Sequence, residues 1–215
     1  MNRVLSKNDI NLIKVLGDNN CLFNCIIQYI HLNKNIYNCV DNNYTYKLNP
    51  CKQYEKLSED LRQSVVDWLE NNLDFILPTG LTIKDDIIDC LSIDDSVDSI
   101  EEYLLDMRAY KYAGQIEIYA LSNILKKNII VLTEIDGNYY SLGMGNIYNK
   151  NNENIYLFHN MLEQENEDEH HYNLLFLKNK TQIISKKKYL DIINRLSSDG
   201  INSDIEISKR YASAC

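Results

Sequence analysis

Proline and glycine are scarce in this chain, 2 and 7 of 215 residues, and neither gathers with serine into a linker. That excludes a collagen-like or low-complexity protein. No internal repeat is present, which excludes a solenoid or propeller. No apolar run reaches the length of roughly 18 residues that a membrane helix needs, and no secretory h-region is seen. A cytoplasmic protein made without a Sec signal is therefore expected. Basic residues are also short, 22 Lys and Arg against 31 Asp and Glu, for a net charge of −9. Phosphate contacts need clustered cations, so a nucleic-acid partner is not expected, and a basic protein partner suits the charge better. The six cysteines, at 21, 25, 39, 51, 90 and 215, lack the short-loop spacing of a disulfide scaffold and read as reduced thiols.

What is present fits one medium domain with enough length for a substantial core. Residues 10–16 form a short apolar run, and a second run with helical spacing opens at Cys21. A polar, Asn-rich stretch follows at 33–50. Between 53 and 77 the residues Leu57, Leu61, Val65, Trp68, Leu69 and Leu73 recur at helical spacing, with Pro78 and Gly80 as the expected stop. Thr82 with Asp85, and Ser99 with Glu102, read as capping boxes for two short helices. Ile116, Ala120, Leu121 and Ile124 predict another helix, and the β-branched run at 128–132 a buried strand. Asp136-Gly137 signals a hairpin, and strands are expected at 155–158 and 172–177. A helix over 189–196 and a polar tail look appended to the core. The sum is an α+β sandwich: a small, mostly antiparallel sheet flanked by helices.

Two segments carry chemistry. Cys21 stands where a loop turns into a helix, and the unpaired N–H groups there favour a thiolate and offer donors to an oxyanion. Far downstream, His170-His171-Tyr172-Asn173 supplies an imidazole and an amide. Residues two apart on a strand share a face, so His171 and Asn173 pair toward the cysteine while Tyr172 turns into the packing. That alternation selects His171 over His170 as the base. By itself Cys21 reads first as a buried structural cysteine, and only the histidine segment reverses that order. Zinc ligation by Cys21, Cys25, His170 and His171 matches known spacings poorly. His31 and His159 default to surface or capping roles, and Asn20 and Glu117 suit structural jobs that hold the cysteine's loop to the following helix.

Asp18-Asn19-Asn20-Cys21-Leu22-Phe23, the segment 112–122 with Gly114, Glu117, Ala120 and Leu121, and His171-Tyr172-Asn173 before a hydrophobic strand occur in the order and spacing of a known family. With Asn19 where glycine is commoner and Tyr112-Ala113 in place of Trp-Gly, the chain resembles the ovarian tumour (OTU) class of cysteine proteases that remove ubiquitin. The resemblance covers roughly residues 8–178. It implies a papain-like fold, a catalytic domain over 1–180 and an extension over 181–215. It implies Cys21 as nucleophile, His171 as general base and acid, and Asn173 as the group orienting the imidazole. By the same resemblance Asp18 would shape the loop or join the triad, and the backbone N–H groups of Asp18, Asn19 and Cys21 would form the oxyanion hole. The implied substrate is the isopeptide bond at the C-terminus of ubiquitin or polyubiquitin, hydrolysed by a monomer without metal or organic cofactor. Glu167, Asp168, Glu169 and His170 would contact the Arg-rich ubiquitin tail. Two alternatives stay open: a protease for another ubiquitin-like modifier, and a pseudo-enzyme that only binds ubiquitin.

Overall fold

A computed structural model describes residues 3–6, 8, 10–15, 19–30, 52–91, 99–109, 111–159 and 171–177. Asp18, Glu167, Asp168, Glu169, His170, the 33–50 stretch and the expected 189–196 helix lie outside these residues. The described elements run β1 (Arg3–Ser6), β2 (Ile10–Ile13), α1 (Cys21–Ile30), α2 (Lys52–Asn71), α3 (Ile83–Leu91), α4 (Ile100–Arg108), α5 (Gln115–Leu125), β3 (Asn128–Ile135), β4 (Asn138–Asn146), β5 (Asn154–His159) and β6 (Tyr172–Leu177).

The strands form one six-stranded sheet in the order β1-β4-β3-β5-β6-β2. Every neighbouring pair is antiparallel except β3 with β5, so the α+β class and the mostly antiparallel sheet agree with the sequence reading. The β3–β4 hairpin turns on Asp136 and Gly137, both at positive φ (49° and 72°). That is the geometry of a two-residue primed turn, whose twist matches the flanking strands. Past the turn, Gly145 sits at φ +112°, where an added Cβ would lie 2.3 Å from the Ile129 carbonyl oxygen. Only glycine fits this bulge, and Gln115 straps it to the start of α5 through Nε2–H to Gly145 O and Gly145 N–H to Oε1, both 2.9 Å.

The side-chain period of two gives the sheet two faces. Ile129, Val131, Ile155, Leu157, Tyr172 and Leu174 join the cluster built by all five helices. Leu132, Tyr139, Leu175 and Ile10 form a smaller cluster on the other face. Helix α1 sits at the centre: all ten of its residues are buried and none is charged, as a helix apolar nearly all round requires. Leu22, Phe23 and Ile26, each at 0% exposure, contribute on the order of 2 kcal/mol apiece by burial. Its buried Asn24 is satisfied by the Ser58 hydroxyl at 2.6 Å.

Helix α2 ends at Asn71, six residues before the expected stop. The side-chain amides of Asn71 and Asn72 bond back to the carbonyls of Asp67 and Trp68, meeting acceptors that the helix end leaves open. The chain then turns, Ile76 bridges Thr82, and Phe75 packs edge-on to Trp68. The Thr82–Asp85 box opens α3 as read from sequence, with Asp85 N–H on Thr82 Oγ1 at 3.1 Å and Thr82 N–H on Asp85 Oδ2 at 2.9 Å. Ser99 caps α4 through the Glu102 N–H. Among the described residues no helix is long and apolar enough to cross a membrane.

Candidate active site

Helix α1 starts on Cys21 because Asn20 stands in the capping position, its carbonyl accepting the first helical bond from Asn24 N–H at 2.8 Å. The amides of the first turn have no intrahelical partner, and the helix end carries partial positive charge. Cys21 is only 1% exposed. From the opposite side, the Tyr172 N–H at the start of β6 donates to Cys21 Sγ at 3.5 Å. A piece of backbone 151 residues away in sequence thus directs an N–H group toward this sulfur, an arrangement that suits negative charge on it.

Asn173 Oδ1 accepts the buried Val15 N–H at 3.1 Å and lies 3.2 Å from His171 Nε2. The Val15 bond identifies the carbonyl end of the amide. An Asn oxygen has no hydrogen to give, so the imidazole must carry its proton on Nε2 to bond there. In the neutral ring the lone pair is then on Nδ1. His171, just before β6, and Asn173 within it therefore bond to each other past Tyr172, in keeping with the two-residue period. The Tyr172 ring enters the core cluster that also contains Cys21, stacked on Tyr112 with centroids 5.7 Å apart and planes 13° apart. Tyr112 thus supplies an aromatic wall where the family pattern has tryptophan.

Of the sequence-derived site residues, Cys21, Asn19, His171 and Asn173 are described: the Tyr172 N–H ties the start of β6 to Cys21, and Asn173 joins the segment after β2 to His171. Two participants escaped the sequence reading. His159 is buried at 3% exposure, not on the surface, because it lies opposite Tyr172 in the β5–β6 register and tilts against that ring at 4.8 Å. Arg62 is buried completely. Its Nε donates to Asn20 Oδ1 at 2.8 Å, Nη1 to the carbonyls of Met107 and Lys111 at 2.8 and 2.7 Å, and Nη2 to the Asn19 carbonyl. Its guanidinium also lies 4.6 Å from the Phe23 ring centroid. A signal existed: Ser58, Arg62 and Val66 form the row next to Leu57, Leu61, Val65 and Leu69, so Arg62 sits on the apolar face of α2.

Glu117 does a structural job, although its partners lie at the start of α5 and on α4 and not in the cysteine's loop. Its Oε2 accepts the Gly114 N–H at 2.7 Å, closing the start of α5, and its Oε1 accepts the Tyr103 hydroxyl at 2.8 Å. Burial pushes its carboxyl above the ordinary range, while those two donors and Arg62 pull the other way. Burial, and then the neighbouring Cys21, raises the Cys25 thiol well above its usual value. Cys25 lies one helical turn from Cys21, and its burial favours the neutral thiol. Cys90 is exposed.

Among the described residues no cluster of three His, Cys, Asp or Glu side chains has metal-ligating geometry. A cavity of about 320 Å³ is lined by Tyr103, Lys111, Tyr112, Gln115 and Glu117 among others. It touches the back of the Tyr112 wall but includes none of Cys21, His171 and Asn173.

A family model described as OTU-like cysteine protease matches residues 16–172. No curated protein sequence matches the chain. Among solved structures it is similar to the viral OTU domain protease of Qalyub virus, at 16% identity and TM-score 0.47 over 81% of this chain and 90% of that one. The Hazara virus OTU bound to ubiquitin gives 14%, 0.46, 83% and 89%. An OTU deubiquitinase from Wolbachia pipientis wMel, bound to ubiquitin, gives 14%, 0.43, 81% and 99%.

Proposed function

Since the chain belongs to the OTU-like cysteine protease family, we propose that it is a deubiquitinase whose nucleophile is Cys21. The observation that carries this reading is that Cys21, at the start of α1, accepts the Tyr172 N–H, and that the residues flanking Tyr172, His171 and Asn173, bond to each other. His171 Nδ1 takes the thiol proton, and Cys21 Sγ attacks the carbonyl carbon that joins the ubiquitin C-terminus to a lysine amine. Backbone N–H groups of Cys21, Asn19 and Asp18 hold the resulting oxyanion. His171 returns the proton to the leaving amine, which departs and leaves a thioester. Water then attacks the thioester, giving its proton to His171, and the acid product and free thiol are released.

Asn173 orients the imidazole and fixes its tautomer. A nucleophile only 1% exposed suits a thin extended chain, and the two glycines that end ubiquitin are such a chain. Glu167, Asp168, Glu169 and His170 are assigned to the Arg-rich part of that tail, in keeping with the net charge of −9 and with the geometry Arg–carboxylate pairs favour. The catalytic domain is placed at 1–180 and an extension at 181–215, a division supported by the family match ending at 172 and by β6 ending at Leu177. A reduced, cytosol-like compartment, within the ubiquitin conjugation pathway, suits a thiol nucleophile with described cysteines that are all free. The test is covalent labelling by ubiquitin carrying a thiol-reactive C-terminal group. A protein that binds ubiquitin without being labelled would be the pseudo-enzyme, and labelling by a ubiquitin-like modifier in place of ubiquitin would shift the substrate.

A further inference from the structure

Arg62 is a full positive charge enclosed in the core, and desolvating it is costly unless its donors are matched. The structure matches four of its five N–H donors to oxygens, and those oxygens come from two separate segments. Asn19 O and Asn20 Oδ1 belong to the turn that delivers Cys21. Met107 O belongs to the last turn of α4, whose negative helix end also suits a cation, and Lys111 O immediately precedes Tyr112. Resting on the hydrolase reading above, we infer that Arg62 is a positioning residue that holds the nucleophile turn at a fixed separation from the Tyr112 wall.

The peptide plane gives this a direct consequence for the oxyanion site. The described residues contain no cis peptide, and in a trans peptide the C=O and N–H point opposite ways. Tying the Asn19 oxygen inward to Nη2 therefore turns the Asn20 N–H away from the core and fixes the plane next to the Cys21 amide. Lysine keeps the charge but has a single nitrogen, which cannot span four acceptors lying in two segments. A displacement of the turn of about 1 Å is enough to cost on the order of 100-fold in rate.

The experiment compares Arg62→Lys with Leu69→Ala, a core truncation on the same helix that unsettles α2 without touching the turn. Both are measured for thermal midpoint and for the saturation kinetics of labelling by ubiquitin with a thiol-reactive C-terminal group. Expected for Arg62→Lys is a maximal labelling rate lower by about 10- to 100-fold, with the half-saturating concentration little changed. Leu69→Ala loses stability but keeps its maximal rate. If Arg62→Lys does not fold, Asn20→Ala removes the Nε acceptor and keeps the guanidinium, and a reduced maximal rate with unchanged half-saturation is expected there. Arg62→Lys or Asn20→Ala labelling at the wild-type maximal rate overturns the positioning role, and so does a loss matched by an equally destabilised Leu69→Ala. Wild-type protein that is not labelled at all is a different outcome, overturning the hydrolase reading and, with it, this role.

Discussion

Replacing Asn173 by alanine removes one oxygen that two N–H groups share. Val15 N–H, in a residue 3% exposed, donates to it at 3.1 Å, and His171 Nε2 approaches it at 3.2 Å. The stability cost comes from Val15, whose buried N–H is left without a partner, at about 1–3 kcal/mol. For a chain of this size that lowers the thermal midpoint by about 2–4 °C per kcal/mol. The activity cost comes from His171, because nothing then holds the proton on Nε2 and the ring in line. A positioned base supplies roughly 10²–10⁴ in rate, and losing its orientation while keeping the imidazole is expected to cost about 10- to 100-fold in kcat/KM, chiefly in kcat. Asn173→Asp keeps an acceptor for both N–H groups and is expected to retain most of the activity. Hydrolysis of a fluorogenic ubiquitin amide, read alongside thermal denaturation, measures both effects. Asn173→Ala with wild-type kcat and an intact fold would refute the argument that this amide fixes the tautomer.

The remaining predictions concern the two buried acids of α1 and α5. Cys25→Ala is expected to cost about 1 kcal/mol in urea unfolding as a small core truncation while labelling by the ubiquitin probe proceeds at close to the wild-type rate. Loss of labelling in that variant would mean that Cys25 is the nucleophile. For Glu117, burial is the largest influence and raises the folded-state carboxyl above its ordinary 4.5. Between that value and the raised one the folded protein holds a proton that the unfolded chain has released, so stability falls as pH rises through this window. Glu117→Gln keeps an acceptor for Gly114 N–H and has no proton to lose, so its stability relative to wild type should improve as pH increases from 4.5. Urea denaturation at stepped pH measures the difference, and a difference independent of pH, or of the opposite slope, contradicts the buried-carboxyl account.

Much of the site was legible because its signals are local. A helix start at Cys21 follows from an apolar run after a polar turn, and the pairing of His171 with Asn173 follows from the two-residue period of a strand. The capping boxes at Thr82 and Ser99 are equally local. What stayed hidden depends on contacts distant in sequence. Strand β1, Arg3–Ser6, is a four-residue edge strand with polar ends, and only its pairing with β4 defines it. The parallel neighbours β3 and β5 enclose β4 in sequence, so adjacency along the chain gives the wrong neighbour. The early end of α2 depends on asparagine side chains folding back on the helix, whereas Pro78 and Gly80 were the stronger nominal stops. Arg62 was passed over because charged residues on helices usually face water, and its acceptors are backbone oxygens that a sequence pattern does not display. His159 likewise had no sequence partner, since its neighbour Tyr172 comes to it only through the register of two strands.

The central claim is that Cys21 is the nucleophile of a ubiquitin-directed hydrolase. Ubiquitin bearing a thiol-reactive C-terminal group, incubated with the full chain and followed by intact mass, tests it most directly. The account predicts one covalent adduct, mapped to Cys21, that forms in wild type and Cys25→Ala and is abolished in Cys21→Ala. An adduct that persists in Cys21→Ala, or a folded wild-type protein that forms none, would contradict it.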